Sequence, residues 1–316
     1  MVRLPYNGTW VTCGSYAFLN GTGLPLDDLI PVENSTGTPW GMSSLEDGYE
    51  YTRILTPFRE FSSGIDEAAR LWGVELRHTE YPSSGELDPE AFPEEAAVIV
   101  GPINMENLNY FPLSRQYKLA DHFILVRRKK ATHQFLITDS EGIAGCYLDF
   151  KALKAMLSIQ NIPEAKGALH LRWIIGVHEP ASRAEIAAYT AKKAMQNLRD
   201  AENAGQGYNA FLRCCDLVRQ TETVLFKSSL NYNLVYLIQR RLMVERFLDG
   251  LKESNRFFAD RRLYEDLYLQ MEQAASCRAA LMTEHIDEVC GNLEKLSDSE
   301  KEYTYHWEGV IKDGWY

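Results

Sequence analysis

The chain changes character near residues 176–180, and that change constrains the fold more than any other feature. Before it, glycines and prolines are frequent and apolar residues come in short runs. Beyond it, both become rare and apolar residues recur at helical spacing. The split predicts a mixed α and β half over residues 1–176 and an all-α half over 177–316, matching two domains on a prior of about 150 residues each. Within the first half the spacing predicts a helix through Ile65, Ala68, Ala69 and Trp72, and strands over 74–77 and 97–101. The unbroken run Val98-Ile99-Val100 marks the second strand as buried on both faces. Two further strands, 122–126 and 134–139, flank a basic connection, and a helix over 150–157 and a strand over 169–175 follow. The second half predicts helices over 181–202, 208–226, 232–255, 261–282 and 284–296, with 298–316 as a polar and aromatic tail. The fold class is α+β, an N-terminal helix with an antiparallel sheet, followed by an all-α domain.

A net charge of −11 argues against nucleic acid or an anionic membrane as partner. No run approaches the roughly 20 apolar residues of a membrane span, and the start lacks the apolar core of a signal peptide. Six cysteines without framework spacing read as reduced thiols in a cytoplasmic protein. No glycine-rich phosphate loop and no His/Cys spacing for zinc occurs, so neither cofactor nor metal is expected. Cys214 and Cys215, adjacent on a helix and roughly 100° apart, make neither a metal claw nor an easy disulfide. Cys277 and Cys290 read as core thiols. His133, His170, His178 and His285 show no evident partner in the sequence. Arg240-Arg241, Arg246, Arg256 and Arg261-Arg262 read as a solvated helix face with an Arg241–Glu245 pair, or as a dock for an acidic partner. Leu242, Phe247, Leu248 and Leu251 are expected to face the core.

The chemistry centres on Cys13, which opens an apolar helical run, Cys13-Gly14-Ser15-Tyr16-Ala17-Phe18-Leu19. A helix N-terminus favours thiolate over thiol, and a histidine held by a carboxylate is the proton partner a thiolate needs. Symmetric pairing of the 122–139 hairpin around Lys130-Ala131 would set His122 directly opposite Asp139, about 4.5–5.5 Å apart at Cβ. Gly14 would give substrate room. The Cys13 backbone N–H and the Asn7 side-chain amide would face a developing oxyanion. Each residue also has a plain reading: Cys13 a small buried hydrophobe, His122 a strand-end histidine, Asp139 a turn former and Asn7-Gly8 a turn.

At these positions the chain resembles a known group. Asn7 with Cys13-Gly14 is similar to the Gln-x5-Cys-Gly pattern of papain-fold peptidases, especially the double-glycine leader peptidases. Ala120-Asp121-His122 and Ile137-Thr138-Asp139-Ser140-Glu141-Gly142 are similar to their histidine and aspartate segments. A closer resemblance is to the butirosin-biosynthesis protein H family, through Thr36-Gly37-Thr38-Pro39-Trp40-Gly41, Val100-Gly101-Pro102-Ile103-Asn104-Met105 and Tyr110. It covers residues 1–176 and is thin over the helical half. Two positions depart from the pattern: Asn7 stands for a longer Gln, and Ser140 for the usual proline. The resemblance implies a papain-like cysteine-protease fold, with Cys13 as nucleophile, His122 as base, Asp139 as its orienter and Asn7 as oxyanion donor. It further implies an acyltransferase of secondary-metabolite (antibiotic) biosynthesis, moving an acyl or peptidyl group from a carrier-protein thioester to a small-molecule amine. The phosphopantetheine arm would arrive on the acyl or peptidyl carrier protein, with the helical domain as lid, acceptor wall or docking module. Two other readings stay open: a cysteine peptidase or amide hydrolase using the same triad, and a non-catalytic interaction protein.

Overall fold

The structure is a computed structural model in which residues 13–23, 61–94, 96–111, 121–140, 145–160, 162, 165–203, 207–220, 224–251 and 260–314 are described. They form two compact units that divide between Ser182 and Arg183.

The first unit is built on a six-stranded sheet of β1 (Val74–Tyr81), β2 (Ala97–Asn104), β3 (Asp121–Lys129), β4 (Gln134–Thr138), β5 (Cys146–Leu148) and β6 (Leu169–Val177). The spatial order is β1-β6-β2-β3-β4-β5, and every neighbouring pair is antiparallel. Side chains alternate between the two faces. One face carries Val98, Val100, Ile124, Val126, Ile137 and Leu171, packed with Leu153 and Met156 of helix α3 (Phe150–Met156). Helix α1 (Cys13–Thr22) packs on the other face, where Gly21 approaches Leu125 and Ile99. All of Gly14 to Leu19 is buried, so α1 is a core helix, apolar nearly all round. Helix α2 (Phe61–Leu71) joins it, and Asp66 makes a two-point salt bridge to Arg172 of β6 at 2.9 and 3.2 Å. Four of the five expected strands run longer than the periodicity predicts, whereas β4 stops at Thr138, one residue short of the expected 139. β5 was not predicted; its three residues leave no readable pattern.

The second unit contains α4 (Arg183–Asn203), α5 (Tyr208–Gln220), α6 (Val224–Leu251), α7 (Arg261–Met282) and α8 (Ile286–Gly314). Three of these bury stripes spaced alternately four and three residues apart. They are Leu230, Leu234, Leu237, Arg241, Val244 and Leu248 on α6, and Leu263, Leu267, Gln270, Ala274, Cys277 and Leu281 on α7. On α8 the stripe is Val289, Leu293, Leu296, Glu300, Tyr303 and Trp307. That spacing is the seam of coiled-coil packing. Arg278 of α7 bonds Asn231 near the start of α6, and Tyr264 bonds Asp249 near its end, so the two helices run antiparallel.

Each stripe carries one polar residue, and the three meet. Arg241 donates to Oε2 of Glu300, and Gln270 Nε2 donates to the same oxygen at 3.1 Å. The guanidinium lies 4.8 Å from the Tyr303 ring centre. Burial pushes the Glu300 carboxyl up to about 7, against the opposing pull of Arg241 and Gln270. Two expectations are corrected here. Arg241 is not on a solvated face but fully buried, and Glu245 instead accepts from Tyr268. The segment 298–316 is not a tail through residue 314: α8 continues through it, since Tyr303 and Trp307 extend the stripe that Glu300 interrupts. Leu248 faces the core as expected, whereas Leu242 is 41% exposed. The side chains of Arg240, Arg246, Phe247 and Leu251, and all of Arg256, lie outside the described residues. Cys214, Cys215, Cys277 and Cys290 are free thiols in the core of this unit. Among the described residues no helix is long and apolar enough to cross a membrane.

Candidate active site

Cys13 is the first residue of α1 and is half-buried. The residues behind it are packed on the sheet, which anchors the helix end where backbone N–H groups concentrate positive potential. Gly14 does not open room for substrate. It is buried against the Phe123 ring, and a Cβ there would lie 3.7 Å from the ring in ordinary contact.

His122 is the second residue of β3, and a bulge in β2 sets its position. Val100 pairs with Ile124 and Ile103 with His122, so Gly101 and Pro102 together oppose the single residue Phe123. Such bulges bend a strand and re-aim its neighbours. Gly101 adopts φ 151°, and a Cβ there would come within 2.6 Å of Phe123 and 2.7 Å of the His122 carbonyl oxygen. The Phe123 ring is thus flanked by two glycines, one from α1 and one from β2. Their closeness brings the thiol-bearing helix end and the histidine strand together.

Asp139 follows β4 and has no solvent exposure, while His122 is 2% exposed. The hairpin pairs Leu125 with Thr138 and Lys129 with Gln134, so its centre lies one residue later than expected. Continued beyond Thr138, that register sets Asp139 across from Ile124 and diagonal to His122. A two-residue offset preserves the face, and diagonal neighbours remain within reach of longer side chains. His122 Nε2 lies 2.8 Å from Asp139 Oδ1. The Cys13 sulfur lies close enough to act on the charge of the same ring. With Nε2 committed to the carboxylate, Nδ1 is the nitrogen left for sulfur. Burial opposes charge on the ring, but the Asp139 carboxylate and the Cys13 sulfur outweigh it and hold the imidazole well above the usual histidine range.

The structure therefore brings together three of the four residues expected at the site; Asn7 lies outside the described residues. It also gives contacts to two residues named from the sequence only for the resemblance. The Tyr110 hydroxyl donates to Asp139 Oδ2, and Ser140 Oγ lies 3.4 Å from Oδ1. Tyr16, one turn along α1 from Cys13, is buried, and its hydroxyl has no hydrogen-bond partner among the described residues. Burial and the Asp139 charge push that phenol up to about 12. A signal for Tyr16 existed in its spacing: residue i+3 on a helix shares a face with the nucleophile.

Three of the four histidines set aside in the sequence have partners after all. His170 meets His78 and Glu80, His178 lies 3.2 Å from Glu75, and His285 lies 3.5 Å from Glu288. His133 sits in the β3–β4 turn at φ 52°. A scan against protein-family models finds no match for the chain, and a comparison with curated proteins finds none either.

Proposed function

We propose that the chain is a cysteine-nucleophile acyltransferase on a papain-like unit, moving an acyl or peptidyl group from a carrier-protein thioester to an amine. The observation that carries this reading is the buried His122–Asp139 hydrogen bond with the Cys13 sulfur acting on the same imidazole, the thiol at a helix N-terminus and the carboxylate sealed from water. Cys13 Sγ, as thiolate, attacks the thioester carbonyl carbon. The tetrahedral oxyanion is met by backbone N–H groups at the start of α1. The carbon–sulfur bond to the pantetheine arm breaks, and His122 gives its proton to the departing thiolate. The neutral imidazole then takes a proton from the incoming amine as nitrogen attacks the acyl-enzyme, and the Cys13 sulfur leaves. The product is an amide, and the charge state of the pair is restored. Asp139 holds the ring orientation and offsets the imidazolium charge.

The test is intact-mass spectrometry of the full chain mixed with an acyl-pantetheine thioester, with and without small amines. Transfer predicts an acyl adduct on Cys13 and amide once amine is added. Free acid alone, even with amine present, would instead establish the hydrolase reading. An unmodified protein whose thiol is also inert to iodoacetamide near neutral pH would establish a non-catalytic role.

A further inference from the structure

We propose that His78, Glu80 and His170 form a binding site for a divalent transition metal of the zinc class, with water completing its coordination. The three come from two adjacent strands. His78 and Glu80, two apart on β1, share a face, and Glu80 is the register partner of His170 on β6. Leu169 and Leu171 belong to the α3-side core, so the alternation puts His170 on the face that carries α1 and α2.

The ligand atoms converge. His78 Nε2 and His170 Nδ1 are 2.9 Å apart, and Glu80 Oε1 lies 3.6 Å from the first and 3.4 Å from the second. A triangle of those sides admits a point about 2.0–2.1 Å from all three corners, the bond length of zinc to nitrogen and carboxylate oxygen. Hydrogen bonding explains the contact between the rings but not the third member. The Glu80 oxygen lies beyond the roughly 2.7–3.2 Å range of such bonds from both nitrogens, yet faces both.

The supporting groups are in place as well. His170 Nε2 lies 3.1 Å from the Ala165 carbonyl oxygen, to which it donates; this fixes the tautomer and leaves a lone pair on Nδ1. Ligand histidines are held in this way. His78 offers its Nε2 lone pair once its hydrogen resides on Nδ1. The next cation on the face, Arg172, is engaged by Asp66, so Glu80 is left to the imidazoles. The His170 side chain is 7% exposed, and those of His78 and Glu80 are 29% and 57% exposed, so the centre has a rigid inner ligand and an open outer side. Two imidazoles and one carboxylate with a free position is a set used where zinc activates water or polarises an oxygen. By register, His170 lies toward the sheet end that carries His122, two strands away and about 10 Å across.

Zinc titration of the reduced full chain against a chromophoric chelator tests the site. Cys13→Ala is titrated in parallel, because the thiol and His122 could themselves take zinc. One equivalent is expected in the wild type and in Cys13→Ala, weakened about tenfold or more in His78→Gln and in Glu80→Gln. Both substituted residues are solvent-facing, so the variants keep the fold, which circular dichroism checks. The thermal midpoint should rise with zinc in the wild type and stay flat in His78→Gln. No bound equivalent, an equivalent unchanged by His78→Gln, or one lost in Cys13→Ala would overturn the proposal.

Discussion

Tyr110 donates its hydroxyl hydrogen to Oδ2 of Asp139, the carboxylate oxygen that His122 does not take. A carboxylate cut off from water must find its donors within the protein, and His122 and Tyr110 on separate segments are among them. Tyr110→Phe removes one donor while keeping the ring. The expected cost is about 1–3 kcal/mol of stability, read from denaturant unfolding. Acylation should slow with it, since Asp139 would be free to turn away from His122. An unchanged unfolding midpoint would show that the hydroxyl is replaceable by water.

Substitutions along the proposed relay should grade by role. Cys13→Ala and His122→Ala are expected to abolish formation of the acyl adduct. Asp139→Asn keeps the shape but loses the charge, and should slow acylation by about 10²- to 10⁴-fold. Single-turnover rates followed by intact mass separate these cases.

The pH response of His122 has a defined sign. Its imidazole is held well above the usual histidine range, with Asp139 and Cys13 outweighing burial. The charged pair should therefore add stability that is fully present below about 6.5, the unfolded histidine value, and lost as pH rises through the folded value. In Asp139→Asn the imidazole should titrate at lower pH. Proton NMR of the His122 ring across a pH series checks both statements.

The polar layer of the helical unit predicts non-additive behaviour. Glu300→Gln leaves the buried Arg241 guanidinium without its counter-charge and should cost about 3–5 kcal/mol. Replacing both Arg241 and Glu300 by Met should be neutral or stabilising, because two buried charges no longer need desolvating. The pH sign is the same as that of His122, because the folded-state value is raised here too, in this case by burial, but the window lies lower. With Glu300 pushed up to about 7, the folded state keeps a proton that the unfolded chain releases near 4.3, so stability should fall as pH rises between those values. The double variant should lose that slope. A double-mutant cycle by chemical unfolding, repeated at two pH values, measures all three effects.

What the chain displayed along its length and what it concealed divide on physical grounds. The helix over Arg261–Met282 was legible end to end, because its seam is almost wholly apolar and Asp260 caps it. The end of α8 was not, since Glu300 sits where the pattern called for an apolar residue and its neutralising partner lies 59 positions away. Arg241 misled for the same reason: a charge on a helix reads as solvent-facing until its counter-charge is found. At the candidate site, the shared face of His122 and Asp139 was legible from strand alternation, while the true register depended on where the turn centred. Tyr110 carried no periodic signal, being in a segment of turns.

The residue pattern alone determined the division into a sheet-bearing half and a helical half, and the presence of a thiol at a helix start with an imidazole and a carboxylate on one hairpin. Those are local facts, set by period and by turn chemistry within a few residues. Tertiary structure decided which distant groups meet: Phe123 between two glycines, Tyr110 on Asp139, Arg241 on Glu300, and His78 and Glu80 on His170. Such meetings depend on pairing between strands and packing between helices far apart in the chain, and no spacing along a single element encodes them.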